Sequence, residues 1–176
     1  ERSRPAIYLF TDGAASGNPG PGGYGIVLRC GSYEKELSGG FARTTNNRME
    51  LLAVILGLEQ IRWDNAEVHV WSDSAYVVKA LNDGWLDKWK RSGFKGKKNA
   101  DLWLRFDAVF RRLGRHVLPK EPEQLTDHAS LDSGDACQGF HHLLLGHPHA
   151  SPVISTNSSA VIQPLMTAFL TMLAVQ

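Results

Sequence analysis

Three acids in this chain hold positions from which they could do chemistry together. Asp12 follows the apolar run "AIYLF" (Ala6 to Phe10), and Asp73 closes "EVHVWSD", so each sits just past what reads as a short buried strand. In an open α/β sheet, ligand sites gather at strand ends, and two parallel neighbours would bring both carboxylates to one edge. Taken singly, each is equally a polar residue that ends a strand. Glu50, in "TTNNRMELLA", is the third candidate. With Asn47 read as an N-cap, Glu50 three residues on also completes a capping box. From the first turn of a helix its side chain can still reach past the helix end toward a strand terminus.

Carboxylates brought together repel, and without a counterion at least one is pushed toward protonation. A hard divalent cation resolves the conflict. Oxygen-only ligation suits Mg²⁺ or Mn²⁺, with water and phosphate oxygens completing the shell. Two such ions about 4 Å apart can activate water on one side of a phosphodiester and stabilise the leaving oxygen on the other. The chemistry implied is phosphodiester hydrolysis.

A second constellation runs from Lys79 to Asn99, where Lys79, Lys88, Lys90, Arg91, Lys95, Lys97 and Lys98 interleave with Trp85, Trp89 and Phe94. Cations in excess suit a phosphate backbone, and exposed aromatics can pack against sugars or bases. The same stretch also reads as a solvated loop whose tryptophans belong to the core. The glycine-rich stretch "FTDGAASGNPGPGGYG" is not a nucleotide loop: no Lys-Ser or Lys-Thr follows its glycines, and it leads into a strand rather than a helix. It reads as a tight backbone turn that lets a ligand approach closely.

The elements that must position these residues follow from the apolar period. "YGIVLRC" and "YEKELSGGF" read as strands joined by a turn at Gly31 and Ser32. From Asn47 the period becomes helical, with Leu51, Val54, Ile55, Leu58 and Ile61 on one side. Ser74 to Leu81 reads as a second helix, and "NADLWLRFDAVFRRLG" as another, capped by Asn99 and stopped by Gly114. Strand, hairpin, helix, strand and helices imply an α/β layered domain with a mixed sheet.

With 43% apolar and 21% charged residues, a chain of 176 residues suits one globular domain with its own core. Cys30 and Cys137 make no metal-ligand spacing, which fits a reducing, cytoplasmic setting. No leader pattern is legible, and the apolar stretch Pro164 to Val175 is too short to span a bilayer, so a soluble monomer without membrane partners is expected. All 19 Lys and Arg lie at or before Lys120, whereas five of the 18 acids follow it. Composition therefore breaks near Pro119.

"FTDGAASGNPGPGGYG", "TTNNRMELLA", "SDSAYV" and "DLW", in this order and spacing, resemble the type 1 ribonuclease H family over about residues 6–115. The resemblance implies a mixed five-stranded sheet with flanking helices and cleavage of the RNA strand of RNA/DNA hybrids with two Mg²⁺ ions. It makes Asp12, Glu50 and Asp73 three of four metal-binding, catalytic carboxylates, with a metal-bound water as nucleophile. It places Asn18, Asn46 and Asn47 where the family contacts the hybrid, by 2′-hydroxyls and the minor groove. Trp85, Trp89, Lys88, Lys90 and Arg91 fall in the family's basic protrusion, which grips the DNA strand.

From near His116 the family's pattern stops: its fifth strand, Lys-Gly-His loop and helix bearing the fourth aspartate are not reproduced. Residues 6–118 are therefore read as the ribonuclease H-like core, and 119–176 as an atypical segment, poorly ordered or of non-family sequence such as a changed reading frame would supply. Asp132 and Asp135 lie at about the chain distance of the fourth acid, and His128 and His147 are candidates for the loop histidine. All four read equally as ordinary surface residues. A missing last strand would bare a sheet edge, and a missing fourth acid would weaken metal binding. The alternative function is a catalytically impaired module that binds hybrid without cutting it.

Overall fold

The apolar runs pair into a mixed sheet whose two central strands are covered by helices. A computed structural model of the chain describes residues 6–64, 66–113 and 117–120. Strand β1 (Ala6–Ala15) pairs antiparallel with β2 (Gly20–Cys30), and β2 with β3 (Tyr33–Thr44) across the expected turn, with Cys30 opposite Tyr33. Strand β4 (Glu67–Ser72) joins β1 in parallel register from Ala6↔Glu67 to Thr11↔Ser72. Strand β5 (Val117–Lys120) pairs parallel with β4, giving the order β3-β2-β1-β4-β5. Ile7, Leu9, Val68 and Val70 are buried along the two central strands, as parallel strands under helices must be.

Helix α1 (Asn46–Gln60) buries Leu51, Val54, Ile55 and Leu58 in the core that these strands share. Helices α2 (Ala75–Asn82) and α3 (Trp85–Arg91) follow β4, and α4 (Ala100–Leu113) turns Leu102, Trp103, Phe106, Val109 and Leu113 inward at helical spacing. Arg105 ties α4 to α1 by two hydrogen bonds of 2.7 Å to Glu59, and the Arg112 guanidinium donates to the Ile61 carbonyl at the C-terminus of α1. The α/β fold class expected from the sequence is the fold observed.

Four expectations change. The fifth strand, for which the sequence showed no family pattern, is present: β5 (Val117–Lys120) covers the β4 edge. Four residues that include Pro119 carry almost no strand signal, and proline is tolerated there because β5 is an edge strand. The N-cap of α1 is Thr45, not Asn47: its Oγ1 accepts the Arg48 N–H, and in "TTNN" every residue is a good cap, so the first to leave the extended conformation sets the start. Strand β1 does not stop at Asp12 but continues to Ala15 as a hairpin arm with β2. Within the basic stretch a helix, α3, forms where only a loop was read. Asp132, Asp135, His128, His147 and the apolar stretch Pro164 to Val175 lie outside the described residues.

Candidate active site

The site follows from strand register. Parallel pairing of β1 with β4 ends at Thr11↔Ser72, so Asp12 and Asp73 are the next residues on the two chains at the same edge. Asp12 is fixed there because β1 remains bonded to β2, with Gly25 opposite it. Asp73 lies on the exposed step into α2, where Ser74 becomes the N-cap.

Glu50 reaches this edge because of Gly13. A Cβ on Gly13 would lie 2.5 Å from the Met49 carbonyl carbon and 2.5 Å from the Glu50 nitrogen, so only glycine lets the α1 backbone press directly on β1 beside Asp12. Gly20 is similarly filled: its Cβ would lie 1.9 Å from the Ser16 oxygen. At these two positions the missing side chain makes room for the protein's own backbone.

With Thr45 as cap, Glu50 lies beyond the capping-box position and is not consumed by the helix end. It instead accepts a hydrogen bond from the Ser74 hydroxyl, which at the same time accepts the Val77 N–H and caps α2. Burial, then the charge of Asp73, hold the Asp12 carboxyl above the usual carboxylate range, against a hydrogen bond from the Gly13 backbone. Burial likewise pushes Glu50 up, opposed by the Ser74 bond and reinforced by Asp73 and Asp12. The electrostatics therefore couple all three acids.

Among the described residues, no three His, Cys, Asp or Glu side chains close into a ready-made metal cage. The donor set is nevertheless oxygen-only, half-open to solvent and short of positive charge, which fits a hard divalent cation that keeps much of its shell from water and phosphate. Asp12, Glu50 and Asp73 are the residues that would hold it.

The remaining sequence-named residues divide into two groups. Asn18 is exposed in the turn between β1 and β2, Asn47 is exposed on the first turn of α1, and Asn46 is exposed but its Oδ1 accepts the Ala15 N–H at 2.6 Å. Asn46 thereby fastens the start of α1 to the end of β1. In the basic segment the aromatics follow the second of the two readings and pack on the core. Phe94 is buried, and Trp85 and Trp89 are half-buried, Trp89 edge-on to the core Trp103 at 5.2 Å. Lys88 and Arg91 are exposed, whereas the Lys90 ammonium lies 2.8 Å from Asp107 Oδ1.

The two groups are physically joined. Arg48, two residues before Glu50, forks onto Asp101 at 3.0 and 2.7 Å and onto Asn99 at 3.3 Å, at the exit of the basic segment. Asn99 stands at the start of α4, as the sequence suggested, its carbonyl accepting the Trp103 N–H at 3.0 Å. It is held between Arg48 and the Tyr76 hydroxyl, which also takes the Trp103 indole N–H at 2.6 Å.

Sequence reasoning missed Ser74, Gly13 and Asp107. A serine directly after Asp73 at a helix start was the available signal for the first. The other two act through packing partners distant in sequence.

Comparison with known proteins agrees with this architecture. A family model described as RNase H matches residues 4–117. The ribonuclease H of Syntrophomonas wolfei is 49% identical over 111 residues, which cover 60% of this chain and 76% of that protein. That of Rhodospirillum rubrum is 52% identical over 121 residues, covering 66% and 70%. Among solved structures, the N-terminal RNase H domain from Mycobacterium tuberculosis is similar at a TM-score of 0.54 and 26% identity, covering 70% of this chain and 87% of that one. LC11-RNase H1, solved in complex with an RNA/DNA hybrid, is similar at 0.52 and 25%, covering 68% and 87%. Among the described residues no helix is long and apolar enough to cross a membrane. A sheet edge that gathers Asp12, Glu50 and Asp73, within a family match spanning well over half the sequence, places this chain in the ribonuclease H family.

Proposed function

We propose that the chain hydrolyses the RNA strand of RNA/DNA hybrids, with Asp12, Glu50 and Asp73 holding divalent cations at the β1/β4 edge. The observation that carries this reading is the register: Thr11↔Ser72 is the last parallel pair, and both following residues are aspartates. Likeness to a ribonuclease H1 solved with a hybrid supports the substrate class. Two Mg²⁺ ions, or Mn²⁺, supply activation of water and neutralisation of the leaving oxygen when bound.

The chain's own residues do the rest. Asp12 and Glu50, pushed up by burial and by neighbouring negative charge, bind cations in their ionised form only. Ser74 orients the Glu50 carboxylate by donating to it. Asn18, Asn46 and Asn47, around the β1/β2 turn and the start of α1, offer amide donors to 2′-hydroxyls and minor-groove edges, which distinguish RNA from DNA without sequence preference. Lys88, Arg91, Trp85 and Trp89 on α3 serve the DNA strand and its phosphates.

The test is cleavage of an end-labelled hybrid in Mg²⁺ or Mn²⁺ by the wild type and by Asp12→Asn. Cleavage by the wild type and a loss of about 10³-fold or more in the variant are expected. Equal cleavage by the variant rejects the site. Retention of hybrid without cleavage by the wild type itself would favour a binding module over an enzyme.

A further inference from the structure

The basic helix α3 has two unlike sides. Leu86, Trp89 and Lys90 stand at i, i+3 and i+4, which puts them on one stripe, while Asp87, Lys88 and Arg91 are exposed. Leu86 is 4% exposed and Trp89 packs on Trp103, so this stripe is the one turned to the protein body. Lys90 follows them. Its ammonium meets Asp107, a residue of α4 that is only 2% exposed.

A carboxylate so deeply placed needs its charge matched locally. Asp107 has two cations, and they are not equivalent. Arg111 lies one turn on along the same helix and is 71% exposed, so it can hold nothing but α4 itself. Lys90 comes from another helix and crosses the gap. Burial acts to raise the Asp107 carboxyl, but the ion pair with Lys90 and the hydrogen bond from Arg111 outweigh it and hold the group below the usual range.

The loop that follows is pinned as well. Phe94 is buried with φ +59, a left-handed conformation that costs a bulky residue energy and is held by its packing, and the Lys97 ammonium rests 5.5 Å over the Trp89 ring. The segment is thus anchored at Lys90, Trp89 and Phe94, and on α3 and the loop after it the cations left facing solvent are Lys88, Arg91, Lys95, Lys97 and Lys98.

We propose that Lys90 is the tether of the basic segment rather than one of its phosphate ligands, and that Asp107, through Lys90, is a positioning residue that sets where the exposed lysines meet the hybrid. This rests on the reading of the chain as a hybrid-binding nuclease, and it reassigns Lys90 within that reading. A phosphate ligand and a tether differ in one measurable way. Removing a cation that neutralises one phosphate of a duplex flattens the plot of log affinity against log salt by about 0.9. Removing a tether weakens binding while the number of neutralised phosphates stays the same.

The experiment measures hybrid affinity for the full chain in divalent-free buffer across a salt series, for the wild type, Lys90→Met, Asp107→Asn and Lys88→Met. Lys90→Met and Asp107→Asn should each weaken binding by about tenfold with the wild-type salt slope retained, and in Mg²⁺ raise KM by a similar factor with kcat nearly unchanged. Lys88→Met should lower the slope by about 0.9. Lys90→Arg, which keeps both the charge and the reach to Asp107, should restore wild-type affinity. Lys90 is one-third exposed, so its replacement leaves a folded chain on which the slope can be read even if Asp107→Asn does not fold. A slope that falls by about 0.9 in Lys90→Met overturns the proposal, as does wild-type affinity in that variant. Failure of the wild type to bind hybrid at all would instead reject the nuclease reading beneath it.

Discussion

At the end of β1 and β4, acids collect with, among the described residues, no basic side chain in the forces acting on Asp12 and Glu50, and both are held above the carboxylate range. On α3 and α4 the opposite holds: the most buried acid, Asp107, is met by Lys90 and Arg111 and falls below that range. Both regions are charged, and both lie within the part of the chain that the family model matches. The difference is that the second region resolves its charge among the described residues and the first does not. Unresolved charge held by a rigid sheet edge is what marks a reaction centre. Matched charge marks a structural joint that can still serve binding by placing others.

The most severe way to break the carboxylate edge leaves every acid in place. Gly13→Ala sets a methyl 2.5 Å from the backbone of Met49 and Glu50, where neither neighbour can yield as a flexible side chain would. Helix α1 must move off β1, carrying Glu50 away from Asp12. A cost of about 2–3 kcal/mol in urea unfolding is expected, together with cleavage reduced far beyond what the stability loss explains. Wild-type cleavage by a folded Gly13→Ala protein would show that Glu50 does not need this close approach.

Ser74→Ala sharpens the comparison from the other side. The hydroxyl caps α2 and donates to Glu50, so its loss should cost about 1 kcal/mol of stability. It also removes the one influence that lowers Glu50. The acid limb of the pH–rate profile should therefore move to higher pH, since Glu50 ionises later and cations bind only the ionised form. An unmoved limb with the same loss of stability would make Ser74 a helix cap and nothing more.

How much of this was legible in the sequence depends on the range of the interaction that decides it. Strand β1 was legible from its apolar run "AIYLF", β4 from the alternation of Val68 and Val70 with Glu67 and His69, and α1 because its apolar residues recur at helical spacing. The family was legible from short motifs that keep local spacing. Strand β5 was not: four residues with a proline are strand only because β4 offers them an edge. The true cap of α1 was hidden among four equivalent residues. The inward turn of Lys90 depends on Asp107, seventeen positions away on another helix, and no local pattern reports that. Gly13 looked like part of a loop because the backbone that fills its missing side chain comes from Met49 and Glu50.

The smallest expected effect bears most directly on the contrast between the two regions. For Asp12 and Glu50 the folded carboxyl is raised, so between the usual carboxylate pKa and the raised one the folded chain keeps protons that the unfolded chain has lost. Unfolding then releases protons, and stability falls as pH rises through that window. For Asp107 the folded carboxyl is lowered, and the sign reverses: its contribution is present above the unfolded pKa and is lost as pH falls through the folded one. The two regions oppose each other in any single profile, so the carboxylate edge must be read as a difference between proteins. In divalent-free buffer, Asp12→Asn should match the wild type near pH 4 and exceed it by roughly 0.5–1 kcal/mol at pH 7, because the amide carries no charge to bury beside Asp73 and Glu50. Saturating Mg²⁺ should narrow the gap at pH 7 by stabilising the wild type alone. A variant less stable than the metal-free wild type at pH 7 would mean that Asp12 is already compensated within the chain, and the contrast with Asp107 would fall.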